Sequence, residues 1–278
     1  MGTLVIARRD GPVMSFFDTL AARIDAVDSV VSVGLDPDRA RLPDHLADHD
    51  LPRWAFNRRI VDATHEHAAC YKPNVAFYED SDGWRALRET IAYAHGKDVP
   101  VLLDAKRADI GNTARQYASL LDHADAITVN PYLGRDSLEP FLAREDKGII
   151  VLCRTSNPGG KDFQNLTVGN DKKLYEYVAQ RCSEWNERGN VGLVVGATAP
   201  EELERVRGLV PELPFLVPGV GAQGGDAEAA VEFGLNDDGV GLVNSSRGII
   251  FAGEGENFEA AARQSAKQLK DRLNRYRA

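Results

Sequence analysis

The chain has 278 residues, 43% of them hydrophobic and 27% charged, and its 33 basic and 42 acidic residues leave a net charge of −9. This is ordinary for a globular protein with a full core, and the acidic balance argues against unspecific binding to nucleic acid or to an anionic membrane, while a small anionic substrate is still allowed. No apolar run is long enough to span a bilayer, and no signal peptide is visible around the charged Arg8-Arg9-Asp10, so a cytoplasmic location is expected.

In chain order, Phe16–Ala26 predicts a helix, Ser29–Leu35 a strand and Trp54–Ala69 a helix. Cys70–Phe77 then predicts a second strand before a helix at Gly83–His95, and Val99–Asp104 a third before a helix at Asn112–His123. Ala126–Asn130 and Gly148–Arg154 read as the fourth and fifth strands, followed by a helix over Lys172–Arg188. Val191–Gly196, Phe215–Val220 and Gly239–Val243 complete eight strands, with helices at Asp226–Phe233 and Phe258–Tyr276. Most of these strands are apolar at successive positions, which suits burial on both faces. Strand followed by helix, repeated without a linker, predicts one α/β domain over residues 1–278. The expected fold is a parallel (β/α)8 TIM barrel with flanking N- and C-terminal helices. A doubly wound open sheet is disfavoured, because no Gly-x-Gly-x-x-Gly follows the first strand. The polar stretch 155–170, with Asn157-Pro158-Gly159-Gly160, is a candidate lid.

Polar residues gather where the predicted strands end: Asp36, Lys72, Asp104 with Lys106, Asn130, Ser156, Gln223 and Ser245-Ser246-Arg247. In a barrel of this kind those ends form the active-site face. Alternation puts Asp104 and Lys106 on one side of the third strand, and Asp109 follows three residues later. A lysine held among carboxylates stays cationic, which suits a general acid or a fixed charge facing a developing carbanion. The plainer reading of the same residues is a buried ion pair with Asp109 as a helix N-cap. Pro218-Gly219-Val220-Gly221-Ala222-Gln223-Gly224-Gly225 and Asn244-Ser245-Ser246-Arg247-Gly248 follow strands seven and eight. Glycines that expose backbone N–H groups, beside an arginine, point to a phosphate monoester.

Other features carry less. His65-x-His67 falls on a predicted helix, where residues two apart do not face one another, so capping or solvated histidines are expected. Trp54, Phe56 and Ile60 read as core-facing, and Glu201-Glu202-x-Glu204 as a solvated helix start. Cys70, Cys153 and Cys182 are odd in number and lack metal-ligand spacing, which suits a reducing compartment.

Asp104-x-Lys106-x-x-Asp109-Ile110, with Thr113 behind it, resembles the signature of the orotidine 5′-monophosphate decarboxylase family. Phe56-Asn57-Arg58, Tyr71-Lys72-Pro73-Asn74-Val75-Ala76-Phe77-Tyr78-Glu79 and Asp109-Ile110-Gly111-Asn112-Thr113-Ala114 resemble its longer bacterial and archaeal subgroup. Val217–Asp226 is a further, independent match, and the resemblance runs from about Val33 to Arg247. It implies a homodimeric, cofactor-free enzyme with no metal that decarboxylates orotidine 5′-monophosphate to uridine 5′-monophosphate. It further implies that Asp36 and Lys72 contact the ribose, and that Asp104, Lys106 and Asp109 form the catalytic charge network with Lys106 as proton donor. Asp109, Ile110 and Thr113 would reach into the neighbouring subunit's site. Ser156 and Gln223 would contact the pyrimidine, Pro218 would line the pocket, and Arg247 with Ser246 would bind phosphate. Ala108 departs from the glycine usual in the family. Asp-x-Lys-x-x-Asp alone does not distinguish a Mg²⁺-dependent hexulose-phosphate synthase of the same superfamily, although Ser156 and Gln223 favour a nucleotide base. A non-catalytic phosphate-ligand sensor is the remaining alternative, against which the clustered carboxylates argue.

Overall fold

The structure, a computed structural model, describes residues 14–169, 171–220 and 226–277. Helix α1 (Phe16–Val27) begins at a capping box in which Ser15 and Asp18 satisfy each other's backbone amides. Eight parallel strands follow: β1 (Val31–Leu35), β2 (Cys70–Pro73), β3 (Leu102–Arg107), β4 (Ala126–Val129), β5 (Gly148–Arg154), β6 (Val191–Val195), β7 (Phe215–Pro218) and β8 (Leu242–Ser245). Their order in the sheet is β2-β1-β8-β7-β6-β5-β4-β3. Bridges Tyr71↔Val101 and Asn74↔Asp104 join the two outer strands, so the sheet closes into the predicted TIM barrel. Every residue of β1, β2, β4 and β6 is buried, as the continuous apolar runs require.

The helices are α2 (Pro52–Thr64), α3 (Gly83–His95), α4 (Gly111–Ala118), α5 (Arg135–Leu142), α6 (Leu174–Trp185), α7 (Pro200–Leu209), α8 (Ala227–Glu232), α9 (Arg247–Ile250) and α10 (Phe258–Leu273). Helix α1 packs across the start of the barrel. A side chain at Gly148 would collide with the Phe16 ring at 2.3 Å, and one at Gly192 would press on Phe17 at 3.2 Å. The two phenylalanines thus occupy space that β5 and β6 leave by lacking a Cβ. Among the described residues no helix is long and apolar enough to cross a membrane.

Several boundaries differ from the sequence reading, each for a local reason. Helix α2 stops at Thr64 rather than Ala69, because Arg23 and the Ser29 hydroxyl take the carbonyls of His65, His67 and Ala68 and turn the chain into β2. His65 therefore lies at the helix end, its Nδ1 3.2 Å from the carbonyls of Val61 and Asp62, and His67 lies beyond the helix. Strand β2 ends at Pro73, and Val75–Phe77 form a 3-10 turn capped by the Asn74 side chain. Strand β3 starts later than predicted and runs through Lys106 to Arg107. Helix α4 ends at Ala118 and continues as a 3-10 turn over Ser119–Asp122. Lys172–Lys173 pair with Thr167–Val168 as a small antiparallel hairpin before α6 begins. The polar stretch after β5 is thus a 3-10 turn at Pro158–Asp162 followed by this hairpin.

Candidate active site

Parallel registry carries the charged residues to one end of the barrel. Gly34 pairs with Lys72 and Asn74 bridges to Asp104, so the ends of β1, β2 and β3 stand side by side. There the Lys72 ammonium donates to Asp104 Oδ2 at 2.9 Å, and the Lys106 ammonium to Asp104 Oδ1 at 2.5 Å. The Asp104 and Lys72 side chains are only 11% and 6% exposed, whereas Lys106 is 47% exposed. One lysine is therefore sealed behind the carboxylate and the other faces the open mouth.

The electrostatics follow from that burial. Desolvation alone would raise the Asp104 carboxyl, but the charges of Lys72 and Lys106 and their hydrogen bonds overcome it and hold the group well below the ordinary carboxylate range. Burial pushes the Lys72 ammonium down, yet the negative charges of Asp104 and Asp36 outweigh it and leave the group above its ordinary value. Asp104 and Lys72 are therefore both charged at neutral pH, and Lys106 is bonded to the same carboxylate from the open side.

The backbone of β3 is irregular where it presents these groups. Its pairing with β4 slips between Leu103 and Arg107, and Lys106 takes a left-handed φ of 49°. The Lys106 amide donates to the Thr128 hydroxyl at 2.9 Å, and that hydroxyl lies 3.0 Å from Asp104 Oδ1.

Asp36 directly follows β1, and its buried Oδ1 has no hydrogen-bond partner in the protein. It lines a cavity of 130 Å³ with Pro218, Gly219, Ser246, Arg247 and Gly248. Arg247 opens the short helix α9, is exposed, and among the described residues pairs with no carboxylate. Ser246 fits over β1 only because residue 34 is glycine.

Ser156 follows β5, half-buried, and packs against Gly196 at the end of β6, where a Cβ would come within 3.0 Å of it. The start of the candidate lid is tied to the barrel. Arg154 donates to Glu202 of α7 at 2.6 Å, and Gln164 Oε1 accepts from the Thr155 amide at 2.9 Å and from Arg154 at 3.1 Å. Asn165 adds a bond to Glu202 at 3.2 Å.

Asp109, Ile110 and Thr113 lie on the outer rim. Asp109 does not cap α4, contrary to the plainer reading; its carboxylate accepts the adjacent Ile110 amide at 2.8 Å, and the cap position belongs to Ile110. Ile110 is 63% exposed and Thr113 is also exposed. Among the described residues no ion pair joins Asp109 to Lys106 of the same chain. Gln223 and the glycines around it, 221–225, lie outside the described residues. Among the described residues no group of three or more His, Cys, Asp or Glu side chains is placed to hold a metal ion.

The barrel, the Lys72–Asp104–Lys106 array and the adjoining cavity agree with a match of residues 29–264 to the profile of the orotidine 5′-phosphate decarboxylase / HUMPS family. The chain belongs to this family. Within it, the chain is 77% identical over 272 residues to the orotidine 5′-phosphate decarboxylase of Natronomonas pharaonis, covering 95% of this chain and 100% of that protein. Among solved structures it resembles Leishmania donovani OMP decarboxylase with 45% identity and a TM-score of 0.83, covering 95% of this chain and 99% of the other. It also resembles Leishmania donovani UMP synthase with 47% identity and a TM-score of 0.84, covering 95% of this chain but 57% of that longer one.

Thr128 and Asn74, which touch Asp104, and Arg154 and Gln164, which tie down the loop after β5, are residues whose contacts the sequence reading did not single out. Arg154 had a visible signal, a charge ending the apolar run of β5. Thr128 had none, because a threonine inside a β-branched run reads as a strand former.

Proposed function

We propose that this chain converts orotidine 5′-monophosphate to uridine 5′-monophosphate in pyrimidine biosynthesis, without a cofactor. The observation that carries the reading is the alternating Lys72–Asp104–Lys106 array beside a small cavity lined by Arg247, which among the described residues pairs with no carboxylate. Substrate phosphate would sit at Arg247 and the Ser246 loop, where a charge-assisted bidentate grip is available. The ribose would meet Asp36 and Lys72, and the pyrimidine would meet Ser156 and Gln223 beside Pro218. The C6–carboxylate bond then breaks, carbon dioxide leaves, and the electron pair stays on C6. The Lys106 ammonium stabilises that charge and gives C6 its proton, leaving a neutral amine that regains a proton from solvent. Asp104 holds Lys106 in place and stands near the departing carboxylate. Binding energy from the phosphate, remote from C6, supports closure of the loop after β5.

The working unit of this reading is a homodimer with composite sites, in which Asp109, Ile110 and Thr113 complete the partner's pocket. Its support is the exposure of Ile110 on a rim that also carries exposed Tyr132, Leu133 and Phe163, an apolar surface suited to a second copy. Three buried, unpaired thiols fit a reducing cytoplasm.

Mixing the protein with orotidine 5′-monophosphate is expected to lower the substrate's ultraviolet absorbance and release carbon dioxide in equal amounts. Undiminished turnover by Lys106→Ala would overturn the mechanism. Complete, metal-reversible loss of activity in chelator would contradict a cofactor-free reaction and favour a Mg²⁺-dependent sugar-phosphate chemistry instead.

A further inference from the structure

Thr128 is the third residue of β4 and is 1% exposed, yet its hydroxyl lies between two functional groups of the neighbouring strand. It accepts the Lys106 amide at 2.9 Å and donates to Asp104 Oδ1 at 3.0 Å. A hydroxyl has one proton and two lone pairs, and an ionised carboxylate can only accept, so the direction of both bonds is fixed. Asp104 Oδ1 is also the oxygen that holds the Lys106 ammonium. One hydroxyl therefore touches the backbone of Lys106 and the counter-ion of its side chain.

Both contacts occur where β3 departs from regular geometry. The register slip removes the Lys106 amide from the ladder, and an unpaired buried amide is costly. The left-handed φ of 49° at a lysine is itself a strained conformation that needs support from its surroundings. Packing alone does not call for a hydroxyl at this place, since valine has the same branched shape and a stronger preference for a buried strand.

We propose that Thr128 is a positioning residue for the decarboxylation. Its hydroxyl holds the left-handed turn that aims Lys106 into the mouth of the barrel, and orients the Asp104 oxygen against which Lys106 is held. It acts through these two residues and not on substrate. The inference rests on the decarboxylase reading of this site.

The test compares Thr128→Val, Thr128→Ala and Thr128→Ser with the unmodified protein in the orotidine 5′-monophosphate assay, with thermal unfolding as the check on folding. Thr128→Val and Thr128→Ala are expected to lower kcat about 10- to 100-fold with KM changed less than about threefold, because a misaimed Lys106 weakens the chemical step and not the distant phosphate grip. Thr128→Ser keeps the hydroxyl and is expected to hold kcat within about threefold. Should Thr128→Val not fold, the contrast of alanine with serine decides the same point. Equal losses in the serine and the hydroxyl-free variants, no loss in any of them, or a rise in KM with kcat intact would each overturn the proposal. An unmodified protein that turns over no orotidine 5′-monophosphate would instead overturn the activity itself.

Discussion

A methyl group at Gly34 would stand 1.7 Å from the Ser246 hydroxyl oxygen, 2.6 Å from its Cβ and 3.1 Å from its Cα, so β1 and the loop after β8 share one space. Gly34 is also the registry partner of Lys72, and Ser246 precedes Arg247. Backbone as well as side chain must move if that space is filled, and the movement falls on the proposed phosphate grip. Gly34→Ala is expected to cost about 1–3 kcal/mol of stability from overpacking and to raise KM by about tenfold or more. Thermal unfolding and steady-state kinetics measure the two effects. A normal KM in this variant would separate Ser246 from substrate binding.

The same grip predicts a selective loss at Arg247. Arg247→Ala removes a charge-assisted contact remote from the reacting carbon, so kcat/KM should fall by an amount on the order of 2–4 kcal/mol. The corresponding nucleoside, which lacks phosphate, should be affected far less by this substitution. Equal losses for nucleotide and nucleoside would put Arg247 somewhere other than at the phosphate.

Lys72 and Asp104 set the pH limits of the charge array. Asp104 titrates below its ordinary value of 3.8 in the folded chain, so its stabilising contribution is complete above about pH 4 and is lost as pH falls through the lowered value. Lys72 titrates above its ordinary 10.5, so its contribution is complete below that value and is lost as pH rises through the raised one. Neither group should impose a limb on kcat between about pH 5 and about pH 9. Lys72→Met leaves the largely buried Asp104 with only its more exposed partner Lys106, a partly compensated charge expected to cost about 2–4 kcal/mol of stability at neutral pH. The gap between this variant and the unmodified protein should narrow as pH falls below about 4 toward the lowered value through which Asp104 protonates in the unmodified chain. A gap independent of pH would assign the loss to packing of the lysine stem.

How much of this was legible in the sequence depended on whether a feature is local. The continuous apolar strands and the polar residues at their ends are local, and they placed Asp36, Lys72, Asp104, Lys106, Ser156 and Arg247 on one rim before any geometry was known. Strand limits that depend on distant partners were not legible. Arg23, far along the chain from the carbonyls it takes, ends α2 early, and the β3–β4 slip carries β3 through Lys106. Thr128 belongs to the second kind, since its role exists only in that shifted register. Helix α5 was also hidden, because Gly134 directly before it and Pro140 within its eight residues read as loop punctuation.

The shared-site reading makes the most demanding prediction. If Lys106 of one chain works with Asp109 of the other, homodimers of Lys106→Ala and of Asp109→Ala each carry two damaged sites. A mixed dimer instead carries one doubly damaged site and one intact site, because both substitutions fall on the same pocket. Random assortment of an equal mixture makes about half of all dimers mixed, each with one of its two sites restored, so about a quarter of the original activity should return. Co-expression or joint refolding of the two variants avoids dependence on slow subunit exchange, and native mass measurement gives the mixed fraction directly. Activity that stays at the single-variant level while half the dimers are demonstrably mixed would mean that Lys106 and Asp109 act within one chain. The exposed Ile110 rim would then need another explanation, although the charge array and the decarboxylation it supports would stand.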